Sequence, residues 1–163
     1  FAAQAIRRTA EIGWKPLLVV ASPASSIEGV LKPAGVENAV GVITTQFTKQ
    51  AGDPSWANDQ EVADFKAFMA KYDPADSPFD FVAVSGYITS QAVAVALERC
   101  GKELTRENLL KQATSFKNVR VALHLPGITI NNSSEDYSAY KVLRIARFDG
   151  KNYVLEGDAV SAD

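Results

Sequence analysis

The sequence predicts an α/β layer fold on three observations. Helix-like and strand-like patterns alternate through the first fifty residues, one short run is apolar at every position, and an Asp-Gly pair splits an alternating stretch near the end. Ala2 to Ile12 is rich in helix formers, and Gly13 stands where a helix stop belongs. Leu17–Val20 then runs apolar without a break, the pattern of a strand covered on both faces, as in parallel sheets. The loop "ASPASS" follows, with three serine hydroxyls. Ser25 with Glu28 three residues on fits a capping box, so a helix or helical turn is expected next, ending near Pro33–Gly35. Ala39 to Phe47 reads as a second strand.

The middle of the chain is helical in character. "TKQAGDPSWANDQ" is a polar loop or crossing segment. Gln60 to Tyr72 is amphipathic, with Val62, Phe65, Met69 and Tyr72 recurring at spacings of three and four. "DPADSPFD" breaks that helix. "FVAVSGYITSQAVAVALERCG" predicts an extended entry, a turn at Ser85–Gly86, and a helix to Cys100 stopped by Gly101. "LTRENLLKQATSF" predicts a further helix with Thr105 as N-cap and Leu109, Ala113 and Phe116 as its buried stripe. "ALHLPGITIN" suggests two short extended pieces around Pro126–Gly127, and "YKVLRIARFDGKNYVL" a hairpin turning at Asp149–Gly150.

Composition narrows the function classes. The charged fraction is 22%, the net charge is −2, and the basic residues are scattered, which argues against a nucleic-acid surface. No apolar run is expected to reach the ~20 residues of a membrane helix. Cys100 is the only cysteine and His124 the only histidine. A metal cluster therefore has too few ligands, and a Ser-His-acid triad would have to use His124 with no G-x-S-x-G elbow. P-loop and dinucleotide glycine patterns are also missing. An enzyme is not expected, nor a cofactor. Two polar spots remain. Ser22, Ser25 and Ser26 follow an apolar strand, where open α/β sheets bind ligands, although a cap and a solvated turn would also account for them. "VSGYITSQ" offers backbone N–H groups and the Tyr87 ring, and equally reads as a core tyrosine near a helix start.

The order of segments resembles the later half of a type I periplasmic solute-binding protein of the branched-chain amino acid ABC-transporter group. "FAAQAIRRTAEIGWKPLLVV" looks like that family's helix and strand of the C-terminal lobe, and "KPAGVENAVGVITTQF" like its next segment. "GYITSQAVAVALERCG" and "LTRENLLKQATSFKN" resemble a helix pair of the other lobe, and "LPGITINNSSEDYSAYKVLRIARFDGKNYVL" the closing strands. The resemblance implies two three-layer, Rossmann-like α/β lobes facing across a cleft, of which this chain holds an incomplete portion. Residues 1–48 would be the later part of the C-terminal lobe, 49–124 the returning part of the N-terminal lobe, and 125–163 the closing strands of the C-terminal lobe. Crossings are expected near Gln46–Asp53, near Val119–His124 and before Phe1. The chain opens within a helix pattern, and the first part of both lobes is expected to lie outside it.

The resemblance further implies an extracytoplasmic binding component of an ABC importer. It would capture a small organic solute, a carboxylate, aromatic acid, amide or amino acid, by hinge closure and be recognised by an ABC permease in the membrane. It nominates Ser22, Pro23, Ala24 and Ser25 on one side of the cleft, and Ser85 and Tyr87 on the other. Amino-acid-binding members place an acidic side chain in the first loop, where this chain has Pro23 and no Asp or Glu from Leu17 to Ile27. An unpaired buried ammonium is costly, so a carboxylate, aromatic acid or amide without a free α-ammonium is the expected solute. A ligand-sensing regulatory domain of the same fold is the alternative. A chain holding only part of two lobes is also expected to leave apolar surface open and to self-associate non-natively.

Overall fold

The computed structural model describes residues 1–161. Good helix formers give α1, Ala2–Glu11, which buries Ile6. The apolar run after it pairs on one side only. Val19 and Ile43 form a parallel bridge, with Val20 N–H donating to Ile43 O and Ile43 N–H to Leu18 O, both at 2.9 Å. Leu18 and Val20 pack on a core, while Leu17 and Val19 are 72% and 66% exposed. The expected strand covered on both faces is thus corrected to a half-covered bridge, because extended chain alternates its side chains and only one set meets a neighbour.

The serine loop folds as a 3-10 turn, Ser22–Ser25, then a π turn, Ile27–Leu31, then the short α2, Lys32–Ala34. The cap is Ser26, whose Oγ accepts the Gly29 N–H at 3.0 Å. The expected Ser25–Glu28 capping box does not form. Ser25 turns inward and donates to Ser22 O at 2.7 Å, while Glu28 pairs with Lys32 one helical turn on at 2.6 Å. β1 is Ile43–Gln46, shorter than the expected strand, because Val36–Ala39 is a 3-10 turn and Gly41 takes a φ of +90°. β2, Val142–Phe148, and β3, Tyr153–Ser161, form the hairpin expected at Asp149–Gly150. The sheet order is β1-β2-β3, antiparallel throughout, with Gln46 opposite Arg144.

The helical middle starts with α3, Gln60–Tyr72, capped by Asp59, whose carboxylate accepts the Val62 N–H at 3.2 Å. Val62, Phe65 and Met69 are buried, but Tyr72 is exposed and leans on Phe68 instead. α4, Phe81–Cys100, is one helix of 20 residues, without the expected turn at Ser85–Gly86. Asp80 caps it by accepting the Val82 N–H at 2.9 Å, and one internal glycine costs a helix only about 1 kcal/mol. α4 also overturns the expectation that no apolar stretch reaches membrane-span length: by length and composition it is apolar enough to cross one. Val84, Ile88, Ala96 and Cys100 of α4 are buried against the rest of the protein, whereas Val82, Val93 and Leu97 are exposed. α5, Arg106–Ala113, begins at Thr105 as expected, its hydroxyl accepting the Asn108 N–H at 3.2 Å.

Two separate hydrophobic cores result. In the first, Ile6, Leu31 and Val42 meet Ala146, Phe148 and Tyr153 of the hairpin. In the second, Phe65 and Met69 meet Val84, Ile88, Phe116 and Leu123. The chain passes between them at Phe47–Lys49 and runs antiparallel to Leu123–Leu125 there. Lys49 N–H donates to Leu123 O at 2.7 Å and Leu125 N–H to Phe47 O at 3.0 Å. Ile130, Ala139 and Tyr140 still pack on the second core, so the chain rejoins the sheet only at Val142.

Candidate functional site

A cavity of about 390 Å3 lies between the two cores. The first body contributes the end of the serine loop, Ser26 and Ile27, together with Lys151 and Tyr153 of the hairpin. The second contributes Lys66 of α3 and the aromatic pair Phe79 and Phe81 at the start of α4. Lys66 Nζ sits 5.6 Å from the Phe79 ring centre, a cation–π distance, and Phe81 meets the Phe47 ring edge-on at 6.4 Å. Three ammonium groups, Lys32, Lys66 and Lys151, face two carboxylates, Glu28 and Asp53. Glu28 is already paired with Lys32, which leaves the cavity with an excess of positive charge over an aromatic floor. Burial pushes the Tyr153 phenol up to about 12, against the opposing effect of the Ser25 hydroxyl, so it remains neutral.

The nominated residues fall in three places. Ser22, Pro23, Ala24 and Ser25 form the turn immediately before the cavity wall, which begins at Ser26. Ser22 Oγ donates to Thr45 O, and Ser25 is buried, so both hydroxyls hold the turn on β1 and on itself. Tyr87 lines a different depression with Phe68 and Asp73, its ring 5.0 Å from Phe65 and 5.1 Å from Phe68. Ser85 lies two residues away on the same helix, its Oγ buried without a hydrogen-bond partner among the described residues. Tyr87 therefore lines a different depression, and the serine turn itself lines neither of the two. Lys66, Phe79, Phe81 and Lys151 were missed by sequence reasoning. Phe79 and Phe81 were legible as an aromatic pair flanking the Asp80 cap, but Lys66 and Lys151 look like any solvated lysine.

The junction beside the cavity is held by charges. Lys49 is 5% exposed and donates to Asp59 at 2.6 Å and to Glu61 at 2.9 Å. Glu61 also pairs with Arg120 at 2.6 Å and accepts the Leu123 N–H at 3.0 Å. Burial alone would raise Glu61. Its bonds from Arg120, Lys49 and the Leu123 N–H outweigh that and bring it down to about 2. Burial likewise disfavours the Lys49 ammonium, yet Asp59 and Glu61 raise it above the usual lysine value. The cluster ties both crossing segments to α3.

Residues 1–152 match the family model of a periplasmic binding protein. The chain belongs to that family. Solved structures agree on the fold. A substrate-binding periplasmic protein from Ralstonia solanacearum superposes with a TM-score of 0.76 at 20% identity, over 95% of this chain and 42% of that one. A branched-chain amino acid ABC transporter protein from Thermus thermophilus with bound valine gives 0.69 at 17%, over 98% and 43%. A fatty acid ABC transporter substrate-binding protein from Thermomonospora curvata gives 0.62 at 26%, over 99% and 41%. This chain thus spans about two fifths of the length of these periplasmic binding proteins. A comparison with curated protein sequences finds no match. The family's α/β fold of two lobes, present here in part, is the one the sequence led us to expect.

Proposed function

We propose that this protein is part of an extracytoplasmic solute-binding component of an ABC importer, and that its solute is a small organic carboxylate with an apolar body. The single observation behind the choice of solute is the cavity between the two cores, lined by Lys66, Lys151, Phe79 and Phe81, with the Lys66 ammonium over the Phe79 ring. An ammonium pair suits a carboxylate, and the aromatic rings suit an apolar tail. The serine turn Ser22–Ser25 immediately precedes the Ser26–Ile27 wall of this cleft and offers no carboxylate to an α-ammonium. Of the two carboxylates on the cavity wall, Glu28 is paired with Lys32 and Asp53 accepts the Ser55 N–H. The fatty-acid-binding relative, at 26% identity, supports the same class of solute. Solute between the lobes would stabilise their closed arrangement, and a membrane permease would read that closure.

Isothermal titration with octanoate, phenylacetate, leucine and valine tests the reading. Octanoate or phenylacetate is expected to bind, and Lys66→Met to weaken it about tenfold, the loss of one charged hydrogen bond. Tight binding of leucine or valine with no response to either acid would overturn it.

A further inference from the structure

A second cavity, of about 290 Å3, opens on the other side of Asp53, Pro54, Asn152 and Tyr153, which wall both cavities. Its floor holds Gln46, the last residue of β1, which is 6% exposed. The Nε2 of Gln46 is buried and has no hydrogen-bond partner among the described residues. A buried amide donor left without an acceptor loses its hydration with nothing to replace it, so such a group in a cavity calls for an acceptor. The charged residues on the wall are Asp53 and Asp149, with no lysine or arginine among the described lining. Backbone N–H groups of Asn152 and Lys151 hold the Asp149 carboxyl below its usual value, so it is ionised at neutral pH. The rest of the wall is largely apolar and includes Trp56, Leu125 and Leu155.

These features select one chemistry. An anion would meet two carboxylates, and a cation would meet the Gln46 N–H as a like partial charge. A neutral carboxamide satisfies both ends: its carbonyl accepts from Gln46 Nε2, its N–H groups face the carboxylates, and its apolar body lies on Trp56. We propose that this cavity is an accessory binding site for a small neutral carboxamide, read by Gln46. It shares a wall with the carboxylate cleft, but Gln46, Trp56 and Asp149 belong to it alone. Its wall joins β1 and β3 of the first body to the Asp53–Trp56 segment, and Trp56 packs on the second core. A ligand there touches both bodies, so it favours one relative arrangement of them.

Trp56 supplies the readout. Trp14, the other tryptophan, is 61% exposed and can be replaced by phenylalanine. Benzamide titrated into the Trp14→Phe protein is expected to give a saturable change in Trp56 fluorescence, and benzoate none. Gln46→Leu should raise the benzamide Kd about tenfold or more. Gln46→Glu, nearly isosteric, should lose benzamide to the same degree and gain benzamidine, whose cation suits a third carboxylate. That variant decides the matter if the leucine variant fails to fold. A benzamide response without saturation, or one unchanged in Gln46→Glu, would mean that the cavity holds only water and would overturn the proposal.

Discussion

The two cores are built on different principles. Phe65 is surrounded by residues of α3, α4 and the segment after α5, helices that follow one another in the chain. Phe148 is surrounded by α1, the π turn and the hairpin, and its strand pairs with β1 from the opposite end of the sequence. One core is assembled from neighbours, the other from partners that only tertiary folding brings together. Local contacts form early and cheaply, whereas distant pairs must first overcome the entropy of closing a long loop.

The largest test of that contrast removes one aromatic from each core. Phe65 and Phe148 are 0% and 1% exposed. Phe65→Ala and Phe148→Ala should each cost about 3–5 kcal/mol by urea denaturation. Their hydrogen-exchange patterns should differ. Phe148→Ala should speed exchange of the sheet amides and leave α3 and α4 protected, and Phe65→Ala should do the reverse. If each variant loosens both bodies equally, the two cores are one cooperative unit and the contrast fails.

The same contrast explains what was legible in the sequence. α3, α5 and the Asp149–Gly150 hairpin carry their own instructions: a three-four spacing, a Thr105 cap and an Asp-Gly pair in a four-residue connection, all readable within a short window. Leu17–Val20 looked like a doubly covered strand because its composition does not say which neighbours arrive. α4 was read as interrupted because Ser85 and Gly86 are turn formers locally, while the helix on either side of them overrides that preference. At the site, the serine turn was legible as a place where an apolar strand ends. Lys66 and Phe79 belong to the second body and Lys151 to the hairpin far along the chain, and only the meeting of the two bodies makes them one wall.

Acid probes the junction where the bodies meet, with a smaller effect. His124 is fully buried, its Nε2 3.1 Å from the Tyr140 hydroxyl. Burial first, and then the charge on Arg120, lower it to about 4 from an ordinary 6.5, with Glu61 opposing. The unfolded chain takes up this proton near pH 6.5 and the folded chain does not, so stability is full above pH 6.5 and declines as pH falls toward 4. The loss between pH 7.5 and 4.5 should be about 2–3 kcal/mol, measured by urea midpoints at both values. His124→Phe should abolish most of that decline. Below pH 4.5 Glu61, depressed to about 2, adds a second loss as its pairing with Lys49 and Arg120 is protonated away. A pH profile unchanged in His124→Phe would place the acid sensitivity elsewhere.

The smallest test sets a cap that the sequence announces against one that it conceals. Thr105 was legible because a helix pattern starts directly after it, and its hydroxyl accepts from Asn108 N–H in α5 of the second body. Ser26 was hidden by Ser25, its neighbour, because both precede the same turn. Only the π geometry of Ile27–Leu31, with Leu31 N–H reaching Ser26 O at 3.0 Å, shows which serine does the capping. Thr105→Ala and Ser26→Ala should each cost about 1 kcal/mol. They should part in function. Thr105 does not line the cavity between the two cores, so its variant should bind octanoate as the parent does if the proposed solute class holds, whereas Ser26 and Ile27 line that cavity, so loosening the π turn should weaken octanoate severalfold. Equal binding by both variants would mean that the turn contributes to stability alone and that the solute rests on the hairpin and α3 side of the cleft.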